Sequence, residues 1–244
     1  MRREIVSPEG FRQDGRRPEE LRRSHFRTSL FQQVDGSAYV EQGNTQCLVT
    51  VSGPREPQMR SKSLPDRAVV TVEYAVAPFS AGERKGPLRT NRAHTEVAAS
   101  LQATFEAAIM TTLFPRSEIM ICVQMVQLDG SALATAINAV SLAIIDAGIP
   151  VTDYVTACSA GYIGSDPVLD LNYLEESAGM PQLTLALLPR TRKIVTMAME
   201  QKLHLDHLEP TAEMCEEGCL QMYQQMNAYI ASASKLATLI TPSA

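Results

Sequence analysis

The sequence predicts an α+β fold of β-α units with mixed sheets and helices, on three observations. Several short segments alternate apolar and polar residues with the period of two expected of a half-buried strand. Three longer segments carry helical patterning. The order is strands, helix, strand, helix, strands, helix, rather than the regular β-α alternation of a doubly wound parallel sheet. No intervening segment marks a clean linker, so the 244 residues are read as a single domain.

The elements follow in chain order. "GSAYVEQGNTQCLVTVSGP" (36–54) reads as a hairpin, alternating through Ala38, Val40, Cys47, Val49 and Val51 about a Gly43-Asn44 turn. "AVVTVEYAVAP" (68–78) is a second strand region, alternating through Val70, Val72, Tyr74 and Val76. Residues 92–114 are predicted as one helix with Val97, Leu101, Phe105, Ala108 and Leu113 on one side. A strand at 119–128 runs into Asp129-Gly130, and a small-residue helix then begins at Ser131 and ends near Gly148. Strands are expected at 154–163, 167–171, 182–189 and 193–200. A helix over about 205–237 closes the pattern, with Pro210 placed in its first turn, where a missing N–H costs nothing.

Composition narrows the class. Hydrophobic residues make up 45% of the chain, which suits an ordinary globular core. No apolar run reaches the roughly 18 residues of a membrane span, and the charged start lacks the apolar centre of a secretory signal, so neither membrane insertion nor export is expected. The five cysteines, Cys47, Cys122, Cys158, Cys215 and Cys219, are scattered through mostly apolar runs, a pattern of reduced thiols rather than of a disulfide framework. Cys215 and Cys219 with His204 and His207 match no standard zinc spacing, and core packing explains them better. The net charge of −5 is uneven: residues 1–120 carry 17 Lys+Arg against 14 Asp+Glu, and residues 121–244 carry 5 against 13. A basic face on the first half would suit a polyanion.

Three constellations could carry chemistry. The loop Asp129 to Leu133 joins a strand to a helix start, where the N–H groups of Ser131 and Ala132 could cradle an anion. As a plain turn it needs only Gly130 for backbone freedom and Ser131 as a cap. The stretch "LDLNYLEES" (169–177) clusters Asp170, Glu175 and Glu176, either to hold a divalent cation and move protons or simply to cap a turn and face solvent. Two basic loops, one with Arg60 and Lys62, the other with Arg84, Lys85, Arg89 and Arg92, could neutralise the phosphates of a single nucleic-acid strand. Phe79 is the only aromatic near them in the chain, which favours backbone contact over reading of sequence.

The ordered series "GFRQDGRRPEELR", "DGSAYVEQGNT", "GPREP", "FSAGERK", "VQLDG", "DAGIP", "CSAGY" and "LDLNYLEESAG" resembles the RNase PH family, most closely its eukaryotic RNA exosome core-ring branch related to the catalytic archaeal subunit. The match is strongest over residues 4–200. The resemblance implies one family domain per chain and a ring of six such chains around a channel for single-stranded RNA. It also implies partners: other RNase PH-like exosome subunits, cap subunits with RNA-binding domains, and a hydrolytic nuclease. Nucleus, nucleolus and cytoplasm are the expected locations, with no membrane.

Active relatives cleave the RNA 3′ end with inorganic phosphate, and their functional positions carry over unevenly. Leu133 stands where the family's phosphate-holding arginine belongs, and Ala132 replaces a hydroxyl donor, so Gly130, Ser131, Ala132 and Leu133 form a degenerate phosphate loop. The family's two aspartates become Asp170 and Glu176, a vestigial pair. Its two RNA-gripping arginines become Arg92 and Ala93, and Arg60 and Ser61 fall at the channel mouth, with Lys62, Lys85 and Arg89 behind them. Losing one well-placed transition-state donor typically costs about 10²–10³ in rate. Lengthening an aspartate to glutamate displaces its carboxylate by about 1 Å, and such misplacement can cost ~10². The expected function is therefore a non-catalytic exosome subunit that shapes the channel and binds single-stranded RNA in RNA processing and degradation, rRNA processing included. No cofactor is expected. The alternative is an active phosphate-dependent 3′-to-5′ exoribonuclease, which alone would call for Mg²⁺.

Overall fold

The computed structural model describes residue 7 and residues 10–57, 64–81, 92–163 and 166–240. Two sheets sandwich one central helix. The first sheet holds β1 (Ser24–Thr28), β2 (Gly36–Gln42), β3 (Thr45–Arg55), β4 (Val69–Val76) and β5 (Glu118–Gln127), in the order β1-β2-β3-β5-β4. All its pairings are antiparallel except β4 with β5, which run parallel through the crossover helix α1 (Arg92–Ala108). The second sheet is antiparallel throughout, in the order β7-β6-β8-β9: β6 (Thr156–Ile163), β7 (Asp166–Leu169), β8 (Gln182–Leu188) and β9 (Lys193–Met199).

The helix between the sheets is α2 (Ala132–Asp146), buried continuously from Ala134 to Ile144. A helix apolar on every side has no solvent face to keep, so it belongs at the centre of the core. Its small residues let both sheets approach. At Gly36 of β2 a Cβ would collide with Ala143 and Ala147 of the helix. Two buried polar residues fix its rotation. Asn138 Nδ2 donates to Ala157 O at 2.9 Å while its Oδ1 accepts from Ala157 N at 2.8 Å, and Ser141 Oγ donates to Val155 O at 2.6 Å. A polar group costs little in a core when its bonds are met.

The remaining helices are α3 (Tyr173–Ser177), a short turn after β7, and α4 (Leu205–Ile240), which packs on β6, β7 and β8. Cys215 and Cys219 lie fully buried at that contact, their thiols donating to the backbone carbonyls of Cys158 and Leu185.

Two expectations about helices need correction. The helix predicted over 92–114 stops at Ala108. Ile109 bridges Val151, a separate 3-10 turn spans Thr111–Leu113, and Leu113 is 58% exposed rather than part of the apolar stripe. Pro210 is the sixth residue of α4, past the first turn, so the bond its N–H would have made to Asp206 is forgone.

Candidate functional site

The loop expected to be a degenerate phosphate site and the carboxylate stretch meet, because Asp129–Ser131 leaves β5 of one sheet while Asp170–Ser177 leaves β7 of the other. Gly130 takes φ +79°, and a Cβ there would collide with the backbone of Leu171 and Asn172. Only glycine fits so close a crossing. Ser131 (φ +52°) and Asp170 (φ +53°) also adopt the left-handed conformation, which costs a non-glycine residue about 1–3 kcal/mol and persists only where surrounding bonds hold it.

Ser131 sits at the N-cap of α2 but does not cap it. Its hydroxyl bonds Ser159 Oγ and also donates to Leu171 O at 3.2 Å, tying the loop to the second sheet. Nor is its N–H open to an incoming anion. Ser131 N donates to Glu176 Oε1 at 2.7 Å, and Gln182 Nε2 donates to the same oxygen at 2.9 Å. The chain's own carboxylate thus occupies the donor that an anion would use. Burial pushes the Glu176 carboxyl above its ordinary value, an effect the Ser131 and Gln182 bonds only partly offset. Leu133, in the first turn of α2, packs against the core and brings no charge.

Asp170 is committed elsewhere. Its side chain has no exposed surface, and it accepts from Arg22 three times: backbone N at 2.9 Å, Nε at 3.0 Å and Nη2 at 2.7 Å. Arg22 extends the clamp to the phosphate loop by donating to the carbonyl of Asp129 and to Thr45 Oγ1, and Thr45 Oγ1 donates to Gly130 O at 2.8 Å. Burial would raise the Asp170 carboxyl, but the Arg22 charge and hydrogen bonds outweigh it and hold it below the ordinary carboxylate range. Glu175 is likewise buried, at 2% exposure. It forms a fork with Arg12, with Arg12 Nε donating to Oε1 at 2.8 Å, and its Oε2 also accepts from Asn172 N at 2.9 Å.

The expectation of a solvated glutamate pair or a cation-holding cluster is therefore corrected. Asp170 and Glu175 are each neutralised by a different arginine, and Glu176 faces the loop. Among the described residues no group of His, Cys, Asp or Glu is arranged to hold a metal ion, and the Cys215/Cys219/His204/His207 set is split, with the thiols buried and His204 exposed.

Arg12, Arg16 and Arg22 were not foreseen as site residues, since "FRQDGRRPEELRR" reads as solvated charge. The one signal that could have found them is the cluster of three acids at Asp170, Glu175 and Glu176, which needs cations wherever the fold buries it. Of the basic candidates, Arg92 is exposed at the start of α1, while Arg60, Ser61, Lys62, Lys85 and Arg89 lie outside the described residues.

Comparison with known proteins gives this arrangement a lineage. Models of the 3′ exoribonuclease (RNase PH) family match residues 20–150 as its domain 1 and residues 153–216 as its domain 2. The chain belongs to the RNase PH family. It is 44% identical over 238 residues to human "Exosome complex component RRP41", covering 97% of each chain. It is 43% identical over 232 residues to "Exosome complex component ski6" of Schizosaccharomyces pombe, covering 95% of this chain and 96% of that one. The crystal structure of rice Rrp46 superposes with a TM-score of 0.78 at 25% identity, covering 88% of this chain and 98% of the rice one. The RNase PH fold expected from the motif series is the fold observed.

Proposed function

We propose that this RNase PH-family chain is a core subunit of the RNA exosome that supports 3′-to-5′ RNA processing and degradation without phosphorolytic chemistry of its own. The observation that carries the reading is the Ser131–Glu176 bond: the donor a phosphate would use is filled by an internal carboxylate, while Leu133 supplies no cation in compensation. An anion approaching Ser131 finds its N–H already bonded to the Glu176 carboxyl and finds no guanidinium at Leu133 to draw it in. Asp170, the other residue of the degenerate pair, is bound to Arg22 and has no exposed surface from which to move a proton.

Kinship to exosome components supports assembly with other exosome subunits and contact with single-stranded RNA. In this reading the neighbours form a six-membered ring with cap subunits and a hydrolytic nuclease, acting in nucleus, nucleolus and cytoplasm. Exposed Arg92 contacts the RNA backbone, and Arg60, Ser61, Lys62, Lys85 and Arg89 are carried as further contacts. No cofactor is needed.

The test incubates the chain, alone and with its nearest ring partner, with single-stranded RNA, Mg²⁺ and phosphate. RNA bound but no nucleoside diphosphate released is the expected result. Phosphate-dependent release that disappears in Glu176→Ala would establish the enzyme instead.

A further inference from the structure

Phe79 and Tyr173 are 94 residues apart in the chain, yet both line one open cavity of about 470 Å³ beside the degenerate phosphate loop. Both rings are costly to leave in water: Phe79 is 73% exposed and Tyr173 55%. Neither is loosely held. Phe79 rides on a turn closed by Ser80 N to Ala77 O at 3.0 Å and pinned to β5 by Leu128 N to Ser80 O at 2.9 Å. The backbone N–H of Tyr173 donates to Asp129 Oδ1 at 3.3 Å, and Asn44 Nδ2 donates to Asp129 Oδ2 at 2.9 Å. The Asp129 charge is thus engaged from two sides. The same wall carries the amides of Asn44 and Gln127 and the Ser80 hydroxyl, which is buried and has no hydrogen-bond partner among the described residues.

A second cavity of about 480 Å³ shares Asn44 and Asp129 with the first and is lined by three guanidinium groups, Arg16, Arg22 and Arg23, against one further carboxylate, Asp14, which Arg16 pairs. Arg16 and Arg22 are tied to carboxylates, but Arg23 is exposed. Rigid aromatic faces and amide edges therefore adjoin a guanidinium-lined trough. That division suits a ligand with a flat, hydrogen-bonding part joined to an anionic part.

We propose that the Phe79–Tyr173 cavity is a nucleobase-stacking site, taking an unpaired base of single-stranded RNA while its phosphate lies toward Arg23. The proposal rests on the RNA-binding reading above and adds a site to it. Stacking tolerates every base, because each has a π-face. Duplex RNA hides those faces and is excluded. The aromatic scarcity noted in the sequence is overcome by the fold, which brings Tyr173 to Phe79.

The test measures binding of fluorescein-labelled oligouridylate to the full chain, alone and in its complex, by anisotropy. It also maps photo-crosslinks from 5-iodouridine RNA. Phe79→Ala and Tyr173→Ala should each weaken binding roughly 5- to 150-fold. Phe79→Tyr and Tyr173→Phe should retain it, and crosslinks should fall on these two residues. An abasic oligonucleotide should bind wild type and the double alanine variant alike. Both side chains are exposed, so truncation leaves the core intact, which circular dichroism checks. If wild type binds RNA, but the alanine variants bind equally well and crosslinks map elsewhere, the stacking site is wrong and the RNA-binding function stands. If wild type binds no single-stranded RNA in either form, both fall.

Discussion

Replacing Asp170 with alanine should damage the fold before it damages any reaction. The substitution removes a carboxylate with no exposed surface that accepts three bonds from Arg22, each at 3.0 Å or shorter. Arg22 is itself 6% exposed and would be left as a buried cation, its remaining bonds going only to neutral acceptors at Thr45, Asp129 and Gly130. Breaking a buried pair from one side costs about 3–5 kcal/mol. Set against a typical domain stability of about 5–15 kcal/mol, that is a large share. Urea unfolding followed by circular dichroism reads it directly, and a double-mutant cycle with Arg22→Met isolates the pair. The double variant should cost little more than Asp170→Ala alone, because the two groups lose the same interaction. A loss below about 1 kcal/mol, in the range of an exposed pair, would refute the reasoning and return Asp170 to the list of free acids.

Three further outcomes are expected. The Glu176 carboxyl is raised by burial, so its contribution to stability is fully present below the unfolded value and is lost as pH rises through the folded one. Midpoints of urea unfolding should therefore fall as pH rises from about 4.5 toward neutrality, and Glu176→Gln should flatten that part of the profile; an unchanged profile would contradict the assignment. Asn138→Ala leaves the Ala157 N–H and C=O buried and unpaired, at roughly 1–3 kcal/mol for each group, measurable by the same unfolding assay. Arg92→Glu should weaken RNA binding and make its salt dependence shallower, since losing one phosphate contact lowers the slope by about one unit, while leaving assembly intact by sedimentation.

The hairpin of β2 and β3 and the strand β4 are legible from their alternation, β5 to β9 as short apolar runs, and the central α2 as a run of small apolar residues between Gly130 and Gly148. β1 was missed: Ser24–Thr28 is five residues of "SHFRT" at a sheet edge, with too little apolar signal to stand out from the charged stretch before it. α3 was read as a turn because five residues cannot show a helical period. At the site, local chemistry brought out the carboxylates but not the groups that bind them. The gap between Leu133 and an arginine could be read in one dimension. That Glu176 would fill the Ser131 donor could not, since the two are 45 positions apart, with α2, β6 and β7 between them. Long-range ion pairs such as Arg12–Glu175 and Arg22–Asp170 are set by topology, and only the demand for cations near 169–177 is written in the sequence.

The proposal that the loop does not seat phosphate is tested most directly by titrating inorganic phosphate into the folded chain and following the Ser131 amide by nuclear magnetic resonance. No saturable shift is expected at Ser131 in wild type, because Glu176 already holds that N–H, and Leu133→Arg alone should not create one while the carboxylate stays in place. A saturable phosphate-dependent shift at Ser131 in the unmodified chain would contradict the account at its root.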